Sequence, residues 1–183
     1  MTKYARRVAY MQATADVVRY LFDSMTDPET ISFGGGAPAR EALPVELVHD
    51  IAGEVLTRDK RGIQALQYGN PIGIPDLRQA VIARLLNPKG LQAGLENVII
   101  VSGGIEGLNL ISQLYLEPGD VVLVESPTFV HAIQVFQLFE ARCIACETDD
   151  QGLVPEDVEA KIKQYAPNWS TSSPPSRIPP GGP

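Results

Sequence analysis

A chain of 183 residues with 44% apolar and 20% charged side chains holds enough material for one domain with a sizeable core, which argues against intrinsic disorder. A formal net charge of −7 argues against a nucleic-acid or anionic-membrane surface, because such partners are held by clustered Lys and Arg. Cys143 and Cys146 are too few for a disulfide framework, and no run approaches the roughly 18 apolar residues of a membrane span. The start, "MTKYARRVAYMQATADVV", lacks an apolar core before a small-residue cleavage site, so a reducing cytoplasm is the expected compartment.

Along the chain, Val17, Val18, Leu21 and Met25 fall at helical spacing between Ala13 and Met25, and "DPET" breaks the pattern before the short extended run Ile31-Ser32-Phe33. The glycine loop "GGGAPAREALP" leads into a helix expected from Val45 to Thr57, with Pro44 where proline is tolerated at a helix start. A second proline-initiated helix is expected from Pro75 to Leu86. The period then changes. "NVIIVSGG" reads as a strand closed by glycine, "IEGLNLISQLYL" as a helix, "PGD" as a turn and "VVLVES" as a strand. "PTFVHAIQVFQLFE" makes another helix, "RCIACET" a strand, and "PEDVEAKIKQY" a helix beginning at Pro155. Such alternation predicts an α/β domain with a mostly parallel sheet and right-handed crossovers.

The sharpest local signal is "VIIVSGGIEGLNL", a strand that turns through Gly103-Gly104 into a helix. The unpaired amides of a first helical turn and the positive end of the dipole favour an anion, usually phosphate, although a tight turn without ligand explains the segment equally well. A nucleoside triphosphate loop is disfavoured, since no Gly-Lys-Ser/Thr follows these glycines. A dinucleotide site is closer, because Glu125 ends the next strand about 20 residues on, where a ribose-binding acid would sit. Gly103, Gly104 and Gly107 do not, however, make the G-x-G-x-x-G spacing. A non-catalytic nucleotide- or dinucleotide-binding α/β domain stands as the alternative.

Four blocks in register carry a more specific resemblance. "LEPGDVVLVESPTF" closely resembles the Leu-x-x-Gly-Asp-x-Val-x-x-Glu-x-Pro-x-Tyr/Phe segment of pyridoxal-phosphate aminotransferases of fold type I. "ISFGGGAP" resembles their Ser-Phe-x-Gly-Gly-x-Pro loop, "LQYGNPIGIPDLRQAV" their Gln-Tyr-x-x-x-x-Gly-x-x-x-Leu-Arg segment, and "VIIVSGGIEGL" their strand-Gly-helix phosphate site. The likeness covers nearly all of residues 12–167 and is nearest to the 2-aminoadipate, aromatic and regulator-associated branch. It implies an incomplete PLP-dependent transferase fold of type I: residues 1–35 an N-terminal helical segment, 36–167 the N-terminal part of the large PLP-binding domain.

The same resemblance implies pyridoxal 5'-phosphate as cofactor, with its phosphate on the amides around Gly103, Gly104 and Ile105. Phe129 falls where the family stacks an aromatic ring on the pyridine face, and Gly36 where a glycine lies against the substrate carboxylate. Tyr68 matches the tyrosine that reaches the phosphate in the neighbouring subunit, which implies a homodimer. The implied substrates are an α-amino acid and a 2-oxo acid. Relatives commonly carry Ser and Gln where this chain has Gly104 and Ile105, so only backbone donors remain here. By spacing alone Phe129 would be a core residue at a helix start and Tyr68 a half-buried loop aromatic. Cys143 and Cys146, three apart on a strand, should face opposite ways and pack rather than bind metal. His49 and His131 have no partner constellation and read as structural or surface residues.

The Schiff-base lysine, the acid at the pyridine nitrogen and the substrate-carboxylate arginine all lie, in the family, beyond the equivalent of residue 167. Lys161 and Lys163, on a polar helix, do not substitute, so no catalytic residue is assigned and this chain is expected to be inactive. After Pro167 the family continues with a buried strand and a Gln-Asn-Pro-Thr-Gly loop. Here "NWSTSSPPSRIPPGGP" stands instead. Read one base earlier, with an AG-type codon for Arg177, each of positions 168–183 is compatible with the family sequence. The tail is therefore expected to be a frameshifted, disordered replacement, leaving apolar faces and strand edges uncovered.

Overall fold

In the computed structural model, residues 4–5, 7–26, 29–31 and 38–171 are described. Their contacts divide the chain into two units, Met1–Gly34 with Gly103–Pro183, and Gly35–Ser102.

The first unit is built on a short parallel sheet. Helix α1 is Arg7–Thr26; in the second unit α2 is Val45–Val55, α3 Lys60–Leu66 and α4 Pro75–Val81. The first unit then continues with α5 (Gly104–Tyr115), β1 (Val121–Glu125), α6 (Val130–Leu138), β2 (Arg142–Cys146), the hairpin β3–β4 (Thr148–Asp149, Gly152–Leu153), α7 (Pro155–Tyr165) and β5 (Trp169–Ser170). β1 is central: it pairs in parallel with β2 from Val121↔Arg142 to Glu125↔Cys146, and with β5 at Val122↔Trp169 and Leu123↔Ser170.

All five residues of β1 are buried, as a strand covered on both faces requires. The two-residue period sends Val122 and Val124 into a cluster with Leu116, Ala132 and Phe136, against which Leu108, Cys143 and Trp169 pack. Val121 and Leu123 point the other way, with Cys146, onto Val158 and Tyr165 of α7. Cys143 and Cys146 thus lie on opposite faces of β2, both as free thiols. Burial pushes the Cys143 thiol up to about 11. α1 packs along α6, yet Val17, Tyr20 and Phe22 stay more than half exposed.

In the second unit, Asp59 caps α3: its carboxylate accepts the Arg61 N–H at 2.9 Å and the Thr57 hydroxyl at 2.6 Å. Those bonds hold its pKa below the usual carboxylate value, the Thr57 hydroxyl contributing most. The Gln-Tyr-x-x-x-x-Gly-x-x-x-Leu-Arg block has a structural basis. Gly73 sits at φ +95°, and a Cβ there would collide with the Ile100 side chain, whose amide donates to Ile72 O at 3.1 Å. Arg78 is buried and donates from Nη1 to Leu95 O at 2.9 Å. α4 runs on as a π-helical turn, Ile82–Leu86, before the 3-10 turn Asn87–Lys89. Pro88 has no N–H and crowds the preceding carbonyls, which widens the turn ahead of it.

Three expectations are corrected. The run Val98–Ser102 is no strand: no strand pairs with it among the described residues, its Ile100 N–H bonds instead to Ile72 O, and Ile99 is left 59% exposed. A strand exists only by pairing, and the sequence pattern reads burial rather than the neighbour. The helix expected from Pro127 starts at Val130, because Phe129 is extended and serves as its cap residue. The tail expected to leave the fold from residue 168 begins inside it, since Trp169 meets Phe136 edge-on at 5.2 Å and 84°. Residues 172–183 lie outside the described residues.

Candidate functional site

The start of α5 is a cradle of backbone amides. Gly103, the cap residue, has no side-chain hydrogen bond, and the helical ladder begins only at the Gly107 N–H, which donates to Gly103 O at 3.2 Å. The amides of Gly104 and Ile105 precede that first bond, where a helix offers donors and a positive dipole end. Among the described residues, a Cβ added at Gly103 or Gly104 would meet nothing within 4 Å, so none of them fills the space beside the turn. Glu106, in the same turn, works against an anion there.

Phe129 caps α6, the next helix of the sheet unit, and α5 and α6 pack together. α5 ends where β1 begins and α6 begins where β1 ends. Chain direction therefore carries both helix starts toward the carboxyl end of β1, the side on which α/β sheets bind ligands. The Phe129 ring is 53% exposed, and it lies 5.0 Å from the His131 ring, tilted by 39°. Nδ1 of His131 is buried with no hydrogen-bond partner among the described residues. The loop before Phe129 is tied from elsewhere: the Thr148 hydroxyl donates to Ser126 O at 2.8 Å.

Gly103, Gly104, Ile105 and Phe129 thus belong to one unit. Tyr68 belongs to the other, its side chain 99% exposed. Gly36 lies outside the described residues. Lys161 and Lys163 are engaged on α7, by Asp157 and Glu159, each at 2.6 Å. No cluster of three or more metal-ligating side chains occurs among the described residues, and no described helix is long and apolar enough to cross a membrane.

The model of the aminotransferase class I and II family matches residues 29–170. The chain belongs to that family. The chain is 33% identical over 150 residues to aromatic-amino-acid aminotransferase 1 of Thermococcus litoralis, covering 82% of this chain and 36% of the relative. It is 30% identical over 168 residues to 2-aminoadipate transaminase of Thermus thermophilus, covering 92% of this chain and 40% of the relative. Among solved structures, kynurenine aminotransferase of Pyrococcus horikoshii, in complex with PMP, superposes with a TM-score of 0.76 at 32% identity. That match covers 88% of this chain and 39% of the other. The fold is accordingly the α/β fold of the type I aminotransferases, and the chain spans about two fifths of its relatives' length. Nothing in these matches supports the dinucleotide-binding alternative.

The sequence singled out Gly103, Gly104, Ile105 and Phe129 but not the residues that touch the Phe129 loop and ring. His131, two residues after Phe129, carried a signal in its position within the first turn of α6. Thr148 carried none, being 22 residues from Ser126.

Proposed function

We propose that this chain is the N-terminal, cofactor-phosphate-binding part of a pyridoxal-phosphate-dependent aminotransferase that moves an amino group between an α-amino acid and a 2-oxo acid. The observation that carries the proposal is the open amide turn at Gly103–Ile105, in the same unit as the half-exposed Phe129 ring, within a chain of this family. The residues fit the cofactor: the amides of Gly104 and Ile105 hold its phosphate, and Phe129 stacks on its flat ring by offset contact. When bound, the cofactor supplies the electron sink for breaking a bond at the substrate Cα.

What this chain contributes is binding and orientation. Its phosphate donors are backbone groups fixed by α5, so they need no reorganisation to meet the anion. Gly36 is assigned to the substrate carboxylate and Tyr68 to the phosphate of a neighbouring subunit, in a cytoplasmic homodimer; the exposure of Tyr68 and the free thiols support that reading. Lys161 and Lys163 are held in ion pairs, so neither offers a free amine for covalent capture.

Titration of the purified chain with pyridoxamine 5'-phosphate tests the proposal. The probe has no aldehyde to condense with surface lysines. Saturable binding, competed by inorganic phosphate and accompanied by no transamination, is expected. Absence of saturable binding refutes the cradle, and cofactor-dependent turnover by this chain refutes the assigned inactivity.

A further inference from the structure

Phe129 is an unusual platform because the residues that fix it lie outside the cofactor-binding segments. Phe129 is 53% exposed, and although its carbonyl accepts the Ala132 N–H at 3.0 Å and the Ile133 N–H at 3.4 Å where α6 begins, those bonds fix its backbone and do not set the direction of its ring. Two further contacts bear on the ring. Three residues before it, Ser126 O accepts the Thr148 hydroxyl at 2.8 Å, tying the loop to the β3–β4 hairpin. The turn of that hairpin is closed by Asp149 Oδ1, which accepts the N–H groups of Gln151 at 2.7 Å and Gly152 at 3.1 Å, and its base is tied to α7 by the Glu147 N–H, which donates to Asp157 Oδ2 at 2.8 Å. Two residues after it, the His131 ring lies 5.0 Å away with Nδ1 out of solvent.

We propose that Thr148, through Ser126, and His131, through ring contact, are positioning residues that hold Phe129 at the angle needed to stack on a flat phosphorylated ring. This rests on the assignment of Phe129 and the Gly104–Ile105 amides to one ligand. The physical argument is entropic. A half-exposed phenyl ring beside a loosened loop samples several rotamers, and stacking must freeze them at an entropic cost. A ring already confined loses less on binding. The phosphate, by contrast, is met by amides of a formed helix and does not depend on this loop.

The test compares pyridoxamine 5'-phosphate with inorganic phosphate on the full 183-residue chain and on Thr148→Val, Thr148→Ser, His131→Ala and His131→Phe. Thr148→Val removes the donor at nearly constant shape. A single neutral hydrogen bond predicts a loss of about fivefold in affinity for pyridoxamine 5'-phosphate, with inorganic phosphate unchanged. Thr148→Ser and His131→Phe restore the wild-type affinity, while His131→Ala weakens it and reduces the circular-dichroism band induced in the bound pyridine ring. A wild-type chain that binds both probes, together with Thr148→Val and His131→Ala variants that bind pyridoxamine 5'-phosphate as tightly as wild type, overturns the inference and leaves the cradle standing. Equal losses for both probes overturn it as well, because they report a general loss of fold. A wild-type chain that binds neither probe overturns the cradle and the inference together.

Discussion

Gly104 offers a substitution whose effects on stability and on affinity separate. The residue opens α5, its Cβ position is empty to 4 Å among the described residues, and its φ lies outside the left-handed region, so a side chain enters without backbone strain. Gly104→Ser adds a hydroxyl donor beside the Gly104 and Ile105 amides. A hydrogen bond to a charged group contributes about 1.5–3 kcal/mol before the hydroxyl's ordering is subtracted, so a gain of about tenfold in phosphate affinity is expected. Gly104→Asp puts a carboxylate in the same place. At about 4 Å two unit charges repel by ~1 kcal/mol in water and ~4 kcal/mol at an effective dielectric of 20, which predicts a loss of at least about fivefold. Both substitutions remove a glycine from the first turn of a helix, a gain of about 0.3–0.5 kcal/mol for Ser or Asp, and the aspartate also complements the dipole. Calorimetric titration with inorganic phosphate at low salt, beside thermal melts, reads both quantities. The expected pattern is opposite changes in affinity with a raised Tm in both variants. Affinities that move together, or do not move, refute the assignment of this turn to an anion.

Phe136 is fully buried and carries Trp169 on its edge, so Phe136→Ala should cost about 3–5 kcal/mol and release β5, seen as a red shift of the single tryptophan and a lower urea midpoint. Asp157 is held below its ordinary value of 3.8, first by the Lys161 ammonium and then by the Glu147 N–H. Its contribution is therefore present above pH 3.8 and lost as pH falls through the lower folded value, and Asp157→Asn should remove that part of the acid loss in melts run from pH 6 to pH 2. Lys161, raised above 10.5 chiefly by the hydrogen bond to Asp157, gives the mirror image, a contribution lost as pH rises through its folded value. Cys143, pushed up to about 11 by burial, should alkylate at pH 8 roughly a hundredfold more slowly than an unperturbed thiol with pKa 9.0, and at the ordinary rate in urea.

Much of the fold was legible because it follows from local periodicity. The β-branched run Val121–Val124 is apolar at every position, the mark of a strand covered on both sides, and α5, α6 and α7 fill the intervening helical stretches. The opposite facing of Cys143 and Cys146 follows from the pleat alone. Gly103-Gly104 was readable for a related reason: a glycine pair between a β-branched run and a helical run marks a turn whose amides are accessible. Local signals failed where a partner decides the outcome. Val98–Ser102 has a strand's composition and no strand beside it among the described residues, so no ladder forms. Trp169 and Ser170 have the opposite history, a polar and Pro-rich context from which the Phe136 edge and the free side of β1 recruit two residues into the sheet.

The sequence by itself determined the family, through four blocks in register, and with it the amide turn and the aromatic position; each depends on residue type and short spacing, which the chain carries openly. Only the tertiary structure decided that Phe129 is half exposed against His131, that Thr148 reaches back to Ser126, and that Lys161 is taken by Asp157. The Phe129 loop and Thr148 meet only because β1 and β2 are paired in one register, and register is a property of two strands together rather than of either segment.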